Sequence, residues 1–265
     1  MKIKQYIVTY NNAVWVNKGL ESIFANLSEY ELSILQIFVI NNHSNLQIEE
    51  KYLDKITVLN NVLRPDFSTG QLPRNWNQAI INGFVDLNNP DCDILITNQD
   101  DTIFKANYVN RLIELHKQYD LITFGHGDNV VSYTPNAVKR IGLWDERFPM
   151  GFQEADYFTR AYLYLKDRSM INDPNHQRNH NRIPDEDWII DYTVPSGHNR
   201  NEPYHMAGGI GRHTRYMYIV KWGINPDNGY KEIDRAQQRL PNFIYYPYFE
   251  KDVQTLYEQQ YIQNF

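Results

Sequence analysis

Two pairs of acidic residues stand out for where they fall in the chain. Asp100 and Asp101 directly follow the run DILITNQ, from Asp93 to Gln99. A carboxylate at a rigid strand end is a hard-oxygen ligand suited to Mg²⁺ or Mn²⁺, and such an ion bridges donor phosphates. The ion then offsets charge developing on a diphosphate leaving group. Paired Asp residues also occupy turns and helix N-caps, and Thr102 to Lys105 could open a helix. The second pair, Glu154 and Asp156, lies in GLWDERFPMGFQEADYFTRA. Both fall at a helix start, where carboxylates are favoured electrostatically. One of them can also serve as a general base facing an acceptor hydroxyl, because an ordinary Glu is ionised at neutral pH.

Such groups need elements to hold them, and the first half of the chain alternates strand and helix signals. Ile3 to Tyr10 reads as a strand, followed by helical spacing of Val16, Leu20, Ile23, Phe24 and Leu27. Leu35 to Ile40 is apolar on both faces, as in a strand buried in a parallel sheet. A further strand is expected at Ile56 to Leu59, a helix from about Asn75 to Leu87, a strand at Asp93 to Thr97 and a helix at Asn107 to Tyr119. This rhythm predicts an α/β fold with a doubly wound, mostly parallel sheet. Beyond Asp120 short strands are expected at Leu121 to Phe124 and Val130 to Tyr133, then a helix from near Glu154. The polar stretch from Asp167 to about Pro203 lacks periodicity and reads as a functional loop or mobile flap. We expect one domain over 1–265, with a nucleotide-binding half (1–119) and an acceptor half (120–265) that carries the flap and a C-terminal extension.

In an open α/β sheet, ligands bind beyond the carboxyl ends of the strands. Three expected strand ends are polar: Thr9-Tyr10-Asn11-Asn12, Asn41-Asn42-His43-Ser44 and Asn98-Gln99-Asp100-Asp101. One polar end is an ordinary turn; three in register point to a ligand.

Bulk properties narrow the partners. The net charge of −6 gives no broad basic surface for a nucleic-acid backbone. The single cysteine, Cys92, excludes an internal disulfide and a zinc ribbon and reads as a packing residue. Aromatics make up 14% of the chain and Tyr dominates them, which suits a cleft for sugars or bases and equally fits compositional bias. The opening MKIKQYIVTY is too short and polar for a signal peptide, and no apolar run approaches a membrane span. A cytoplasmic protein is expected, with peripheral membrane contact still open. His176 and His180, at i, i+4, would suit zinc on a helix, although no third ligand is evident.

Five segments in order resemble the family 2 glycosyltransferases of the GT-A fold, from Ile7 to about Arg160. IVTYNN looks like the opening nucleotide-binding strand. FVINNHSN resembles the second strand end, with Asn41 where a base-contacting Asp is usual. STGQLPRNWNQAI is similar to a Gly-containing segment whose counterparts here are Gly70, Arg74 and Asn77. ITNQDD takes the place of the DxD element; Asn98 replaces the first Asp and leaves Asp100 as the metal carboxylate. GLWDERFPMGFQEADYFTR resembles GxFDExFxxxxEDxDxxxR, which puts Glu154 at the catalytic-base position and Gln153 in place of an acidic residue. His205, in YHMAGG, is similar to a third metal ligand in some relatives, with a backbone-bonded loop histidine as the plain alternative and His198 as a second candidate. RYMYIVKWG, with Lys221 and Trp222, resembles a C-terminal segment whose aromatics stack on an acceptor sugar or simply pack.

The resemblance implies a hexosyl- or deoxyhexosyltransferase of glycan biosynthesis. It would move a sugar from a nucleotide-diphosphate donor to an acceptor hydroxyl, on a glycan or another acceptor, with inversion and with Mn²⁺ or Mg²⁺. Thr9, Tyr10, Asn11, Asn41, Gly70, Arg74, Asn77, Asp101 and Asp156 would line the donor site, Asp100 and His205 would hold the metal, and Glu154 would take the proton. The rival readings are a catalytically inactive carbohydrate- or nucleotide-binding relative and a nucleotidyltransferase on a similar sheet. The latter wants a Gly-rich, Lys-containing loop after the first strand, and NNAVWVNKG is a poor example.

Overall fold

Eight strands form one mixed sheet in the computed structural model, which describes residues 1–42, 46–61, 72–149, 151–191 and 207–244. The chain runs β1 (Ile3–Thr9), α1 (Ala13–Asn26), α2 (Glu29–Ile34), β2 (Leu35–Asn41), α3 (Glu50–Leu53), β3 (Ile56–Asn60), α4 (Leu72–Phe84), β4 (Ile94–Gln99) and α5 (Tyr108–His116). It continues with β5 (Leu121–Phe124), β6 (Val130–Tyr133), α6 (Pro135–Ile141), α7 (Gln153–Leu165), β7 (Ser169–Asp173), β8 (Arg178–His180) and α8 (Ala207–Trp222). The strand order is β3-β2-β1-β4-β6-β5-β7-β8. β1 to β4 are mutually parallel. β6 is antiparallel to both β4 and β5, so β5 points the same way as β4, and β7 pairs parallel with β5. Only β6 and β8 run against the rest.

Both faces of the sheet are covered, which is why its strands are apolar on both sides. Tyr6 and Val8 of β1 and Leu95 of β4 pack with Trp76 and Phe84 of α4 and with Trp144 and Phe158. Ile3 and Ile7 of β1 and Ile94 and Ile96 of β4 pack with Val16 and Leu20 of α1 and with Tyr108 and Leu112 of α5. A smaller cluster, Phe148, Ala155, Tyr218 and Trp222, joins α7 to α8. No helix among the described residues is long and apolar enough to cross a membrane.

The structure departs from the sequence expectations in several places, α3 and α8 among them. α4 begins at Leu72, three residues before the expected Asn75, and ends at Phe84. Residues 102–105 open no helix; α5 starts at Tyr108, after Asn107 in the left-handed region (φ 63°). α2 and α6 were not expected, because 6 and 7 residues show fewer than two turns of periodicity. Local capping fixes them instead. Ser28 and Glu31 form a reciprocal capping box, and Thr134 caps Ala137 with Pro135 at the first helical position. Finally, the stretch read as a loop or flap from Asp167 contains two strands, β7 and β8, in its described part. β7 reads SMIND, yet all five residues are buried. Its polarity is absorbed within the fold: the Asn172 amide donates to the Thr123 carbonyl at 2.8 Å, and Asn172 N–H donates to Thr123 Oγ1 at 3.2 Å.

Candidate active site

Because β1, β2, β4, β5 and β7 share one direction, their carboxyl ends line one edge of the sheet. β1 lies between β2 and β4, where the order of the chain reverses. Open α/β sheets bind ligands outside such a reversal.

At the β1–β4 end, Thr9 Oγ1 donates to Asp100 Oδ2 at 2.7 Å, and both residues are buried. Asn129 Nδ2 donates to Asp101 Oδ1 at 3.3 Å. Neither Asp caps a helix, since α5 begins only at Tyr108. Asn98 turns inward: it accepts from Gln5 Nε2 at 2.9 Å and donates to the Gln99 carbonyl at 2.8 Å. It therefore contributes nothing to a cation at the edge. Asn41 Nδ2 donates to Asn60 Oδ1 at 2.9 Å. Tyr10 is half-buried, and Asn11 is exposed in the left-handed region (φ 48°). A buried carboxylate just past a strand end, held by a hydroxyl, fits a small hard cation that completes its shell with phosphate oxygens and water.

Arg74 and Asn77 are engaged elsewhere. Arg74 Nε donates to Glu146 Oε2 at 3.1 Å, and Asn77 Nδ2 donates to Glu146 Oε1 at 2.8 Å and to the Trp144 carbonyl at 2.9 Å. The Trp144 N–H returns a bond to Asn77 Oδ1 at 2.7 Å. Asp156 is fully buried, with Arg160 Nη2 at 2.7 Å, Lys221 Nζ at 2.6 Å and Trp222 Nε1 at 2.9 Å. Expected at the donor, it instead joins α7 to α8. Lys221 and Trp222, considered above for acceptor stacking, are buried in the same cluster. Gly70, His198 and His205 lie outside the described residues.

The β5–β7 end gathers a second set. Glu154, in the first turn of α7, accepts from Arg178 Nη1 at 3.0 Å, and the same nitrogen lies 3.3 Å from Asp173 Oδ2. Glu154 lines a cavity of about 250 Å³ together with Gly151, Phe152, His176, Arg178 and Asp227. Asp173 would be pushed up by burial, but bonding from His176 and the charge of Arg178 outweigh this and hold it below the usual carboxylate range. Asp128 goes the other way. Burial, and next the charge on Glu154, push it up to about 6, even though Trp76 Nε1 donates to it at 2.7 Å. Gln99 Nε2 reaches the other Asp128 oxygen at 2.8 Å, which ties the two ends of the edge together.

The i, i+4 pair His176 and His180 does not sit on a helix. His176 is on a 3₁₀ turn, and His180, in β8, contacts the Lys166 carbonyl at 3.0 Å. His176 instead stacks on His126, with ring centroids 4.7 Å apart, and its Nδ1 is 3.0 Å from both Asp173 oxygens. His126, Asp128, Asp173 and Arg178 were not expected in the site. The available signal was GHGDN after an expected strand, the same pattern of polar strand end that pointed to Asp100.

No family model and no curated protein sequence matches the chain. Solved structures show likenesses in fold at low identity. S. aureus TarS 1–349 shares 16% identity over 62% of this chain and 56% of that one, with a TM-score of 0.46. The mannosyltransferase PcManGT from Pyrobaculum calidifontis, in complex with GDP-Man and Mn²⁺, shares 12% over 65% and 55%, with a TM-score of 0.45. GalNAc-T7 with UDP, GalNAc and Mn²⁺ shares 10% over 63% and 41%, with a TM-score of 0.47. This chain thus spans little more than half the length of the first two and less than half of the third.

Proposed function

We propose that the chain is a glycosyltransferase that moves a sugar from a nucleoside-diphosphate donor to an acceptor hydroxyl with inversion. The observation that carries this reading is the shared edge. A hard-oxygen carboxylate, Asp100, directly follows β4, while a carboxylate that lines a cavity, Glu154, stands at the β5–β7 end of the same edge. In this reading Thr9, Tyr10, Asn11 and Asn41 receive the base and ribose, with Asp101 beside them. Mn²⁺ or Mg²⁺ held by Asp100 and the donor phosphates would offset charge on the leaving diphosphate. The acceptor hydroxyl attacks the anomeric carbon in one displacement. Its oxygen bonds to that carbon as the bond to the phosphate oxygen breaks, and its proton passes to Glu154. Arg178 holds Oε1 of Glu154, so Oε2 takes the proton. Arg74, Asn77 and Asp156 shape the site through their bonds to Glu146, Trp144 and α8.

The ion pair between Arg178 and Glu154 supports the inactive, binding-only reading, since it occupies the proposed base, and so do Asn98 and Gln153 where acidic residues are usual. The two readings separate on Glu154→Gln. General-base removal lowers turnover by about 10²–10⁴ while donor affinity, measured by calorimetry, stays at the wild-type value. Wild-type protein that turns over no nucleotide sugar, alone or with glycan acceptors, leaves the binding-only reading standing.

A further inference from the structure

We infer that His126, Asp173 and His176 form a binding site for a divalent transition-metal ion of the Zn²⁺ class, at the wall of the Glu154 cavity and separate from Asp100. The inference rests on this cluster alone and holds whether or not the chain transfers sugars.

Topology brings the three residues together. β5 and β7 are parallel neighbours in the register Phe124 to Asn172, so the chain just beyond each strand meets the other. His126 lies two residues past β5, Asp173 ends β7, and His176 sits on the turn that follows. One ligand atom from each lies within 4.8 Å of the other two, and this is the one such group of three among the described residues. The 3.0 Å between His176 Nδ1 and the Asp173 carboxylate suits two ligands on one ion with bonds of about 2.0–2.1 Å, which then subtend roughly a right angle. The widest separation exceeds what such bonds allow, so one ligand must close in. His126 is exposed and lies between Gly125 (φ 99°) and Gly127 (φ 61°), so its ring swings inward without disturbing the core.

The other two ligands are already fixed. Asp173 is fully buried, accepts from the Gly127 N–H at 3.3 Å and is braced by Arg178. Carboxylates and imidazoles held in this way keep their geometry when a metal leaves. Arg178 is a nearby cation, but it is shared between Asp173 and Glu154, so the immediate surroundings keep a net negative charge. Two imidazoles with one carboxylate suit Zn²⁺ or Co²⁺ in preference to Mg²⁺, Ca²⁺ or Mn²⁺. Three protein ligands leave at least one position for water or a bound molecule. His176 lines the cavity, so that position faces the space beside Glu154.

The test uses the full chain, stripped with chelator and dialysed. Zn²⁺ is titrated by calorimetry, and Co²⁺ by its visible absorption. Wild type should bind Zn²⁺ at a site that Asp100→Ala retains. His126→Ala and His176→Ala should each weaken it by about 100-fold or more and remove the Co²⁺ band. His126 is exposed, so His126→Ala and His126→Gln keep the fold, as circular dichroism will verify. Absence of Zn²⁺ binding in wild type, unchanged binding in both histidine variants, or loss of the site in Asp100→Ala would each overturn the assignment.

Discussion

Lys221→Met tests whether a buried charge cluster fixes α8 to the helix that carries Glu154. Only 1% of the Lys221 side chain is exposed, and its Nζ lies 2.7 Å from Asp145 Oδ2 and 2.6 Å from Asp156 Oδ1. Met keeps the stem and removes the charge. Asp145 still has Arg147 at 2.6 Å and Asp156 still has Arg160 at 2.7 Å, so neither carboxylate is stranded. The loss at neutral pH should therefore fall at the lower end of the range for a broken buried pair, about 3 kcal/mol. The pH dependence gives a second readout. Burial raises Asp145, but Lys221 and Arg147 outweigh it and lower it from 3.8 to about 2. A carboxylate depressed on folding adds stability that is present above the unfolded value and is lost as pH falls through the folded one. Here that stability is on the order of 2 kcal/mol at neutral pH and is lost as the pH falls from the ordinary carboxylate range towards 2. In Lys221→Met the depression weakens, so the gap between wild type and mutant should narrow by up to about 1 kcal/mol over that interval. Urea unfolding followed by Trp fluorescence at several pH values measures both effects. A mutant as stable as wild type, or a gap that ignores pH, refutes the account of the cluster.

Three further outcomes follow from the same geometry. Asp100→Ala should abolish Mn²⁺-dependent binding of a nucleoside diphosphate in calorimetry, while Asp101→Ala, whose carboxylate is tied to Asn129, should be milder. Trp144→Ala should destabilise by about 3–5 kcal/mol in urea unfolding. It removes a fully buried ring stacked on Tyr157 at 4.1 Å and takes the indole N–H from the Tyr133 hydroxyl. Gly127→Ala should lower stability by about 1–2 kcal/mol, since Gly127 has φ 61°, and should also slow turnover. The added Cβ would sit 3.1 Å from Glu154 Cγ, and thermal unfolding beside single-turnover rates would show the two effects together.

The parallel half of the fold was legible because strands buried on both faces are continuously apolar and the helices between them repeat at helical spacing. Leu35 to Ile40 and Asp93 to Thr97 are such runs, and both are strands. β7 was not legible. Ser169, Asn172 and Asp173 are polar by type, and only the partner strand and the neighbouring turns satisfy them. The site divides in the same way. Asp100 and Glu154 announce themselves by their place after a strand and at a helix start. His126 and Asp173 are far apart in sequence and meet only through the β5–β7 pairing, which no local pattern encodes.

Arg74, Asn77 and Glu146 form one bonded set inside the fold. All three fall in segments that resemble one family, and the resemblance directs Arg74 and Asn77 to the donor. In the structure they direct themselves to each other. Glu146 accepts from both, while Asn77 exchanges bonds with the Trp144 backbone in both directions. The result staples α4 to the loop 142–148, and that loop leads directly to the turn where α7 begins. Glu146 is a buried carboxylate, so its charge needs these partners whether or not a ligand is present. The spacing of such residues is then fixed by the register of a helix against a loop, a requirement as strict as contact with a nucleotide. Through that loop, α4 at the β1–β4 end of the sheet helps set where Glu154 stands at the other end. Asp128 makes the same connection from the strand side, taking Trp76 of α4, Gln99 of β4 and Gln153 of α7 onto one carboxylate. The two ends of the edge are thus joined through a single polar lattice.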